Sequence, residues 1–448
     1  MLGTAVLAAV LVLAACTDAD PAPPKPTVTE TPQRVDLSFG VFGPEDEVAV
    51  YDALARDYTP TGADVVVRTV SWDNRDEATR AYRSGDLPDV FMLSQRDLAW
   101  FTERELTRPV DELLDERGVS FGDTYSRDAL EAFALDNGLT CMPYSVSPMV
   151  IFYNRGLVDF DKMRRRGLDA PEELDSWSFE QFAAAAEFAT RPGKGTRGVY
   201  IAPTLAGLSP FLYSGGGKVF DDPRDPTSLA FSDGDTRSAL EQTLTLLRRA
   251  QVTPTDAQLA ANTPVELFKK GELGMVAGFR NLVPELRETP GLDFDVMPMP
   301  VLSRSATVGD VTGLCLSAAA ENAPEAADFL VHVLSDESVA QVVREGYLVP
   351  ANVTVATSDD FLQPGLLPLN AAVFNASVRH IEIPPLLESW SRLEEAVEPG
   401  LSRLVTVPLL DDATLTQLTT EIDLESQKVL SPPESESPSP SESPSPSE

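Results

Sequence analysis

Residue types that carry most enzyme chemistry are scarce in this sequence. It holds two histidines, His332 and His380, and three cysteines, Cys16, Cys141 and Cys315. His332 lies inside the apolar run Phe329-Leu330-Val331-His332-Val333-Leu334, where a histidine reads as a packed or half-exposed helix residue and not as a base. No HExxH, CxxC or GxSxG occurs, so zinc hydrolysis, dithiol redox chemistry and a nucleophile elbow lack their groups. Carboxylates are abundant, but a glycosidase pair needs two of them at a set separation across a cleft, and no spacing in the sequence shows one. Gly215-Gly216-Gly217-Lys218 lacks the spacing of a phosphate loop and follows a helical pattern, so it reads as a helix-ending turn. Asp221-Asp222-Pro223-Arg224-Asp225 lacks EF-hand spacing and reads as a surface turn. Neither a metal nor a cofactor is expected. Binding chemistry has more support, from aromatic, hydroxyl and amide side chains at loop positions next to strand ends.

The elements that must position those side chains alternate. Val35–Phe42, Asp64–Val70 and the short run ending at Met92 read as strands, and helical patterns separate them. Such alternation predicts a mainly parallel sheet with helices on both faces, and ligands bind such sheets at the carboxyl ends of strands. That places Trp72, Ser94 and Gln95 at the lip of a cleft. The stretch Leu139–Asn154 reads as two strands joined by a turn at Tyr144-Ser145-Val146-Ser147-Pro148. Its second strand is a continuous apolar run, covered on both faces. A strand that leaves one body for another there puts a ligand between two lobes. Ser178 heads an amphipathic core helix, and Leu273–Ala277 is a further strand.

At 448 residues the chain is long enough for two globular bodies. Its 70 Asp plus Glu against 35 Lys plus Arg give a net charge of −35, which argues against nucleic acid or an anionic membrane surface as partner. Leu2–Ala15 is an unbroken small-apolar run, too short to span a bilayer as a helix. It ends in Leu13-Ala14-Ala15-Cys16, which resembles a bacterial lipobox with Cys16 as the acylated residue. Residues 17–34 then form an extended Pro- and Thr-rich tether. Residues 431–448 are a low-complexity Ser/Pro/Glu tail with almost no apolar side chain to offset chain entropy.

Several motifs carry a resemblance to one family. Met142-Pro143-Tyr144 followed by Ile151-Phe152-Tyr153-Asn154, the run Gly85…Pro88-Asp89-Val90, and Gly271-Glu272-Leu273-Gly274-Met275 are among them. Met297-Pro298-Met299-Pro300, Gly309–Ser317 and Gly346–Ala351 are the others. Together they resemble the extracytoplasmic solute-binding proteins of ABC transporters, specifically the sugar-binding, maltose-binding-like family, over roughly residues 35 to 430. The resemblance implies an α/β, two-lobed periplasmic-binding-protein-like fold of type II, with central sheets flanked by helices and the ligand cleft between the lobes. Lobe 1 would span 35–143 and be completed by 313–350, lobe 2 would span 144–312, and helices over 351–430 would brace both. It also implies a monomer that takes a small-molecule ligand, hands it to ABC permease subunits by hinge closure near Pro143 and Gly313, and touches the membrane through its lipid anchor alone. The alternatives are a surface receptor or scaffold that kept the fold without transport, and a lipid-anchored glycoside-active hydrolase.

Sugars present apolar C–H faces that stack on aromatic rings and hydroxyls that need polar partners. Placed by the resemblance, Trp72, Ser94, Gln95, Tyr144, Ser145, Tyr213, Phe279, Asp310 and Tyr347 form the candidate ligand set. One departure stands out. Where the family usually has Gly-Pro-Trp, this sequence has Gly278-Phe279-Arg280. Arg280 is therefore either an anchor for an anionic solute or a structural arginine pairing with Glu285 or Asp310. Cys141 and Cys315 fall on segments that the resemblance sets side by side, as a disulfide or as two buried thiols.

Overall fold

The computed structural model describes residues 34–60, 64–122, 124–135 and 138–431. Cys16 with its signal segment, the tether up to residue 33 and the tail from residue 432 lie outside the described residues. In chain order the strands are β1 (Arg34–Phe42), β2 (Asp64–Trp72), β3 (Val90–Ser94), β4 (Thr107–Arg108), β5 (Ala134–Leu135), β6 (Gly138–Leu139), β7 (Cys141–Pro148), β8 (Val150–Asn154), β9 (Arg197–Tyr200), β10 (Leu273–Gly278), β11 (Phe294–Met297) and β12 (Gly309–Ser317). Lobe 1 is built on the sheet β2-β1-β3-β12-β4, with β7 also paired to β12, and lobe 2 on the sheet β11-β8-β10-β9.

Local sequence explains the framework. Every residue of β8 is buried, as its unbroken apolar run requires of a strand covered on both faces. The helix Glu45–Asp57 opens on three acidic residues that suit its dipole, and it buries Tyr51, Leu54 and Ala55. The helix Phe179–Ala189 starts from a complete capping box between Ser178 and Gln181. It turns Phe179, Phe182, Ala185, Ala186 and Ala189 inward at helical spacing.

Three sequence expectations are corrected. The sheets are mixed and not mainly parallel: β1 runs parallel to β2 and β3, but β12 is antiparallel to β3, β4 and β7, and β8 is antiparallel to β10 and β11. Strands that return through a crossing enter each sheet from the opposite end. Tyr144–Ser147 is no turn; it is the body of β7, whose outer edge pairs with the loop 349–351 through Val146 N to Val349 O and Ala351 N to Tyr144 O. The lobes therefore part at Pro148–Met149 and rejoin just before Gly309, rather than at 143–144 and 312–313. Finally, the helical segment 351–430 divides between the lobes: Val355, Phe361, Val373 and Phe374 pack into the lobe 1 core, and the helices Trp390–Thr406 and Asp412–Leu430 pack into the lobe 2 core through Leu393, Val397, Leu401, Leu415, Leu418 and Ile422.

Two covalent or hydrogen-bonded ties organise the junction. Cys141 and Cys315 stand opposite each other on β7 and β12 and form a disulfide, with Cα atoms 4.3 Å apart. Thr307, 2% exposed, joins the two crossings to a third, residues 379–389. Its hydroxyl donates to Met149 O (2.7 Å), its N–H donates to His380 O (2.8 Å), and its carbonyl accepts from Glu382 N (2.9 Å). Replacing Thr307 by Val keeps the shape but strands the buried Met149 carbonyl. It is expected to cost about 1–3 kcal/mol, measured by chemical denaturation, while Thr307→Ser, which keeps the donor, stays close to wild type.

Candidate ligand-binding cleft

The cleft is floored by the strand pair at the crossings. On one face of β12, Asp310 and Thr312 stand opposite Ser147 and Ser145 of β7, while Val311 and Val146 on the other face are buried. The two-residue period of the strands sorts hydroxyls and a carboxylate to the cleft and aliphatic groups to the core. Lobe 1 closes this polar half with Glu47 in the first turn of the helix Glu45–Asp57 and with Asp73-Asn74-Arg75 just after β2. Lobe 2 closes it with Phe279 and Asn281, and Tyr347 covers it from the return segment. The resulting cavity is about 340 Å³. A second cavity of about 180 Å³ shares Arg75, Phe279 and Asp310 with it. This one is mostly apolar, walled by the helix Leu205–Ser214 with Tyr213, by Phe220, and by Pro384 and Trp390. The cleft thus has a hydroxyl-lined half and an aromatic half with one Asp–Arg wall between them.

Electrostatics separate the charged groups. Burial works against the charge of Arg75, but Asp310, Asp97 and Asp76 more than offset it and hold its pKa above the usual value. Arg96 donates to Glu394 (2.5 Å) and stacks its guanidinium 4.8 Å from the Trp390 ring. Glu47 is different. It is buried against Tyr51, whose hydroxyl donates to it at 3.4 Å, and burial, helped by the nearby Glu345, pushes its pKa up to about 7 despite that bond. Tyr144 is buried beside Glu47 against Tyr51, with ring centroids 6.0 Å apart, and burial raises its pKa well above the ordinary phenol range despite the neighbouring Tyr51 hydroxyl.

The structure divides the sequence-derived candidates. Tyr144, Ser145, Phe279, Asp310 and Tyr347 line the polar cavity, and Tyr213 lines the aromatic one. Four are corrected. Trp72 packs edge-on against Tyr82 (5.0 Å between centroids) and lines neither cavity. Ser94 is wholly buried behind Asp310, with its hydroxyl 3.4 Å from the carboxylate. Gln95 is buried and donates to Pro384 O (3.2 Å), so it ties lobe 1 to the third crossing. Arg280 has no exposed surface. It donates to Gly346 O and Phe361 O and sits 4.5 and 5.1 Å from the rings of Phe361 and Phe374, so it anchors neither a solute nor Glu285 or Asp310.

Arg75, Glu47, Ser147, Thr312 and Trp390 were missed. The period-two pairing with Ser145 and Asp310 could have found Ser147 and Thr312. The strand-end rule that chose Trp72 points equally to Arg75, three residues on. A larger groove of about 630 Å³ lies over lobe 2, but its charged walls pair internally, Arg155 with Asp293 and Arg164 with Asp161, and it includes none of the crossings.

Two lobes on mixed sheets, crossed three times and holding a polar and aromatic cleft, define an extracellular binding-protein architecture. The chain belongs to the bacterial extracellular solute-binding protein family, whose model matches residues 53–368. It shares the maltose-binding-protein-like fold with solved structures of low identity. An ABC substrate-binding protein of Listeria monocytogenes, in complex with cycloalternan, is 18% identical, with a TM-score of 0.72 over 87% of this chain and 98% of that one. The GacH receptor of Streptomyces glaucescens, described unliganded and with acarbose, is 18% identical, with a TM-score of 0.70 over 89% and 99%. An extracellular solute-binding protein of Staphylococcus aureus in complex with maltose is 19% identical, with a TM-score of 0.67 over 89% and 98%. Among the described residues no helix is long and apolar enough to cross a membrane.

The buried carboxyl makes a prediction. The unfolded chain ionises Glu47 near its ordinary value of 4.5, whereas the folded chain holds the proton to about 7. The folded state binds more protons in that window, so stability falls as pH rises through it, by up to roughly 3 kcal/mol. Denaturation of wild type and Glu47→Gln across this range should show the variant gaining relative stability as pH rises. A constant difference would mean that Glu47 titrates normally.

Proposed function

We propose that this protein captures a neutral carbohydrate between its lobes and delivers it to an ABC permease from a lipid anchor at Cys16. The observation that carries the reading is the two-sided cleft. Ser145, Ser147, Thr312 and Asp310 offer hydroxyl and carboxylate partners along one wall, and Phe279, Tyr213, Phe220 and Trp390 offer apolar faces along the other. A sugar ring needs both at once. The family membership and the saccharide complexes of fold neighbours support the same class.

Three points refine the reading. The burial of Arg280 removes the sequence argument for an anionic solute. Binding is favoured over turnover where two of the cleft carboxylates are held in ion pairs, Glu394 with Arg96 and Glu382 with Arg304. The closed form of a single copy is what the permease subunits meet, reached by rotation about the three crossings.

A thermal-shift screen of the purified protein against mono- and oligosaccharides, uronic acids, sugar phosphates and amino acids tests this. A neutral saccharide at about a hundred times its dissociation constant should stabilise the fold by roughly 2.7 kcal/mol, and Asp310→Ala should abolish the shift. Hits confined to anionic compounds, or none with folded protein, would overturn it.

A further inference from the structure

The groove over lobe 2 is separate from the cleft. Its two arginines pair inside it, Arg155 with Asp293 at 3.2 Å and Arg164 with Asp161. Those pairs leave Asp295 over. It lines the groove from β11, the edge strand of the lobe 2 sheet. Asp295 stands directly opposite Tyr153 of β8, so the two side chains share one face of the sheet and line the groove together. Each is only 3% exposed. Asp295 Oδ1 accepts from Val296 N (3.0 Å) and Asn370 N (2.8 Å), which fixes the carboxylate in place. Its Oδ2 and the Tyr153 hydroxyl have no hydrogen-bond partner among the described residues, and both open on the groove. Burial lifts the Asp295 pKa above the ordinary carboxylate value, even with the two N–H donors and Arg155 nearby. A buried carboxylate oxygen and a buried phenol left without partners are both costly, and one occupant of the groove can satisfy the two together.

We propose that this groove is a second binding site and that it takes a primary alkylammonium ion, whose N–H groups reach Asp295 Oδ2 and the Tyr153 hydroxyl while its chain lies along Val158, Leu174 and Leu369. Charge sets the sign of the ligand. Five carboxylates line the groove against the guanidinium groups of Arg155 and Arg164, a field that disfavours an anion. Geometry sets the kind of cation. A guanidinium uses both oxygens of a carboxylate for its fork, and Oδ1 is already engaged by two backbone donors. A divalent ion needs several oxygen ligands at once, and among the described residues no three carboxylate, histidine or cysteine side chains converge to hold one. An ammonium is a compact point charge with three donors, matched by one free carboxylate oxygen, one hydroxyl and water. The wall suits an alkyl chain as well: Leu369 is 57% exposed beside the groove, and Val158 and Leu174 continue the apolar strip. The site stands apart from the carbohydrate reading, since none of its residues lines either half of the cleft.

Calorimetric titration of the whole protein with pentylamine at neutral pH tests the assignment, with pentanol and tetramethylammonium as controls. Pentylamine should bind at one site per chain, and pentanol, which lacks the charge, should not bind. Tetramethylammonium, which has the charge and no N–H, should bind at least about tenfold more weakly than pentylamine. Asp295→Asn removes the charge and keeps an oxygen for the two backbone donors. Tyr153→Phe keeps the ring packed on Phe160, 5.1 Å away between centroids. Pentylamine affinity should fall roughly tenfold or more in Asp295→Asn and several-fold in Tyr153→Phe, with both variants folded by circular dichroism. Should Asp295→Asn fail to fold, Tyr153→Phe and the ligand series decide alone. Equal affinity for pentylamine and tetramethylammonium would reduce the site to a diffuse acidic field and overturn it, as would an affinity unchanged in folded Asp295→Asn. Absence of pentylamine binding to the folded wild type at millimolar concentration would do the same. None of these outcomes touches saccharide capture, so the two readings stand or fall separately.

Discussion

The structure turns on the hydrogen bonds of one buried threonine. Two lobes joined by three chain crossings could slide, twist or separate unless the crossings move together. Thr307 ties all three: Met149 on the outgoing crossing, its own backbone on the return, and His380 and Glu382 on the third. Because its hydroxyl and its peptide groups point to different segments, none of the crossings can shift alone without leaving a buried polar group unpaired. The apolar packing has the same consequence. One continuous core takes in lobe 1 and the Phe152, Phe294 and Val276 face of the lobe 2 sheet, and Phe374 packs against Phe152 from beneath the junction. Such a seam resists translation and leaves rotation as the soft motion.

The floor of the cleft belongs to the rigid side of that rotation. Strand β12 is flanked by β3 on one edge and by β7 and β4 on the other, and the Cys141–Cys315 bridge closes a loop across 174 residues between β7 and β12. In the chain-entropy view a link of that span removes on the order of 4–5 kcal/mol of freedom from the unfolded ensemble. Asp310, Thr312, Ser145 and Ser147 therefore ride on a fixed platform. The aromatic wall from Tyr213, Phe220 and Phe279 rides on lobe 2. A ligand that bridged floor and wall would sense the angle between the lobes.

The architecture was legible because each lobe announces its elements locally. Capped helices, the both-face burial of β8, and the Gly- and Pro-marked loops are properties of short windows. The exact crossing was less legible. Tyr144-Ser145-Val146-Ser147-Pro148 looks like a turn by composition, and only its long-range partners, Gly309–Thr312 and the loop 349–351, make it a strand. The same blindness explains the site. Ser145 and Asp310 were found as polar residues next to a crossing, Trp72 by its place at a strand end and Arg280 by its place in a family motif, and neither position says which way the side chain turns. Whether a ring or a fork faces solvent or a neighbour is decided by tertiary packing. Tyr82 claims one and Phe361, Phe374 and two carbonyls claim the other. Glu47 lay in a helix first turn, where an acidic residue usually serves the dipole. Nothing local reveals that the sheet and the return loop bury it.

Arg280 also bears on how closure is driven. Its guanidinium ties lobe 2 to the carbonyls of Gly346 and Phe361 on the lobe 1 side through buried hydrogen bonds. The direct ties between lobe 1 and the segment at Trp390 are of another kind. Arg96–Glu394 and Arg104–Glu388 have side chains 27–41% exposed, so each contributes only about 0.2–1 kcal/mol, and salt screens it further. The Arg96–Trp390 stacking adds a similar amount at a partly exposed site. These exposed contacts are too weak to lock the lobes together. On the proposed function, the free energy that selects a closed form would come from the hydroxyl floor and the aromatic wall engaging one molecule at once. A ligand shifts the equilibrium by its preference for that arrangement and by nothing else.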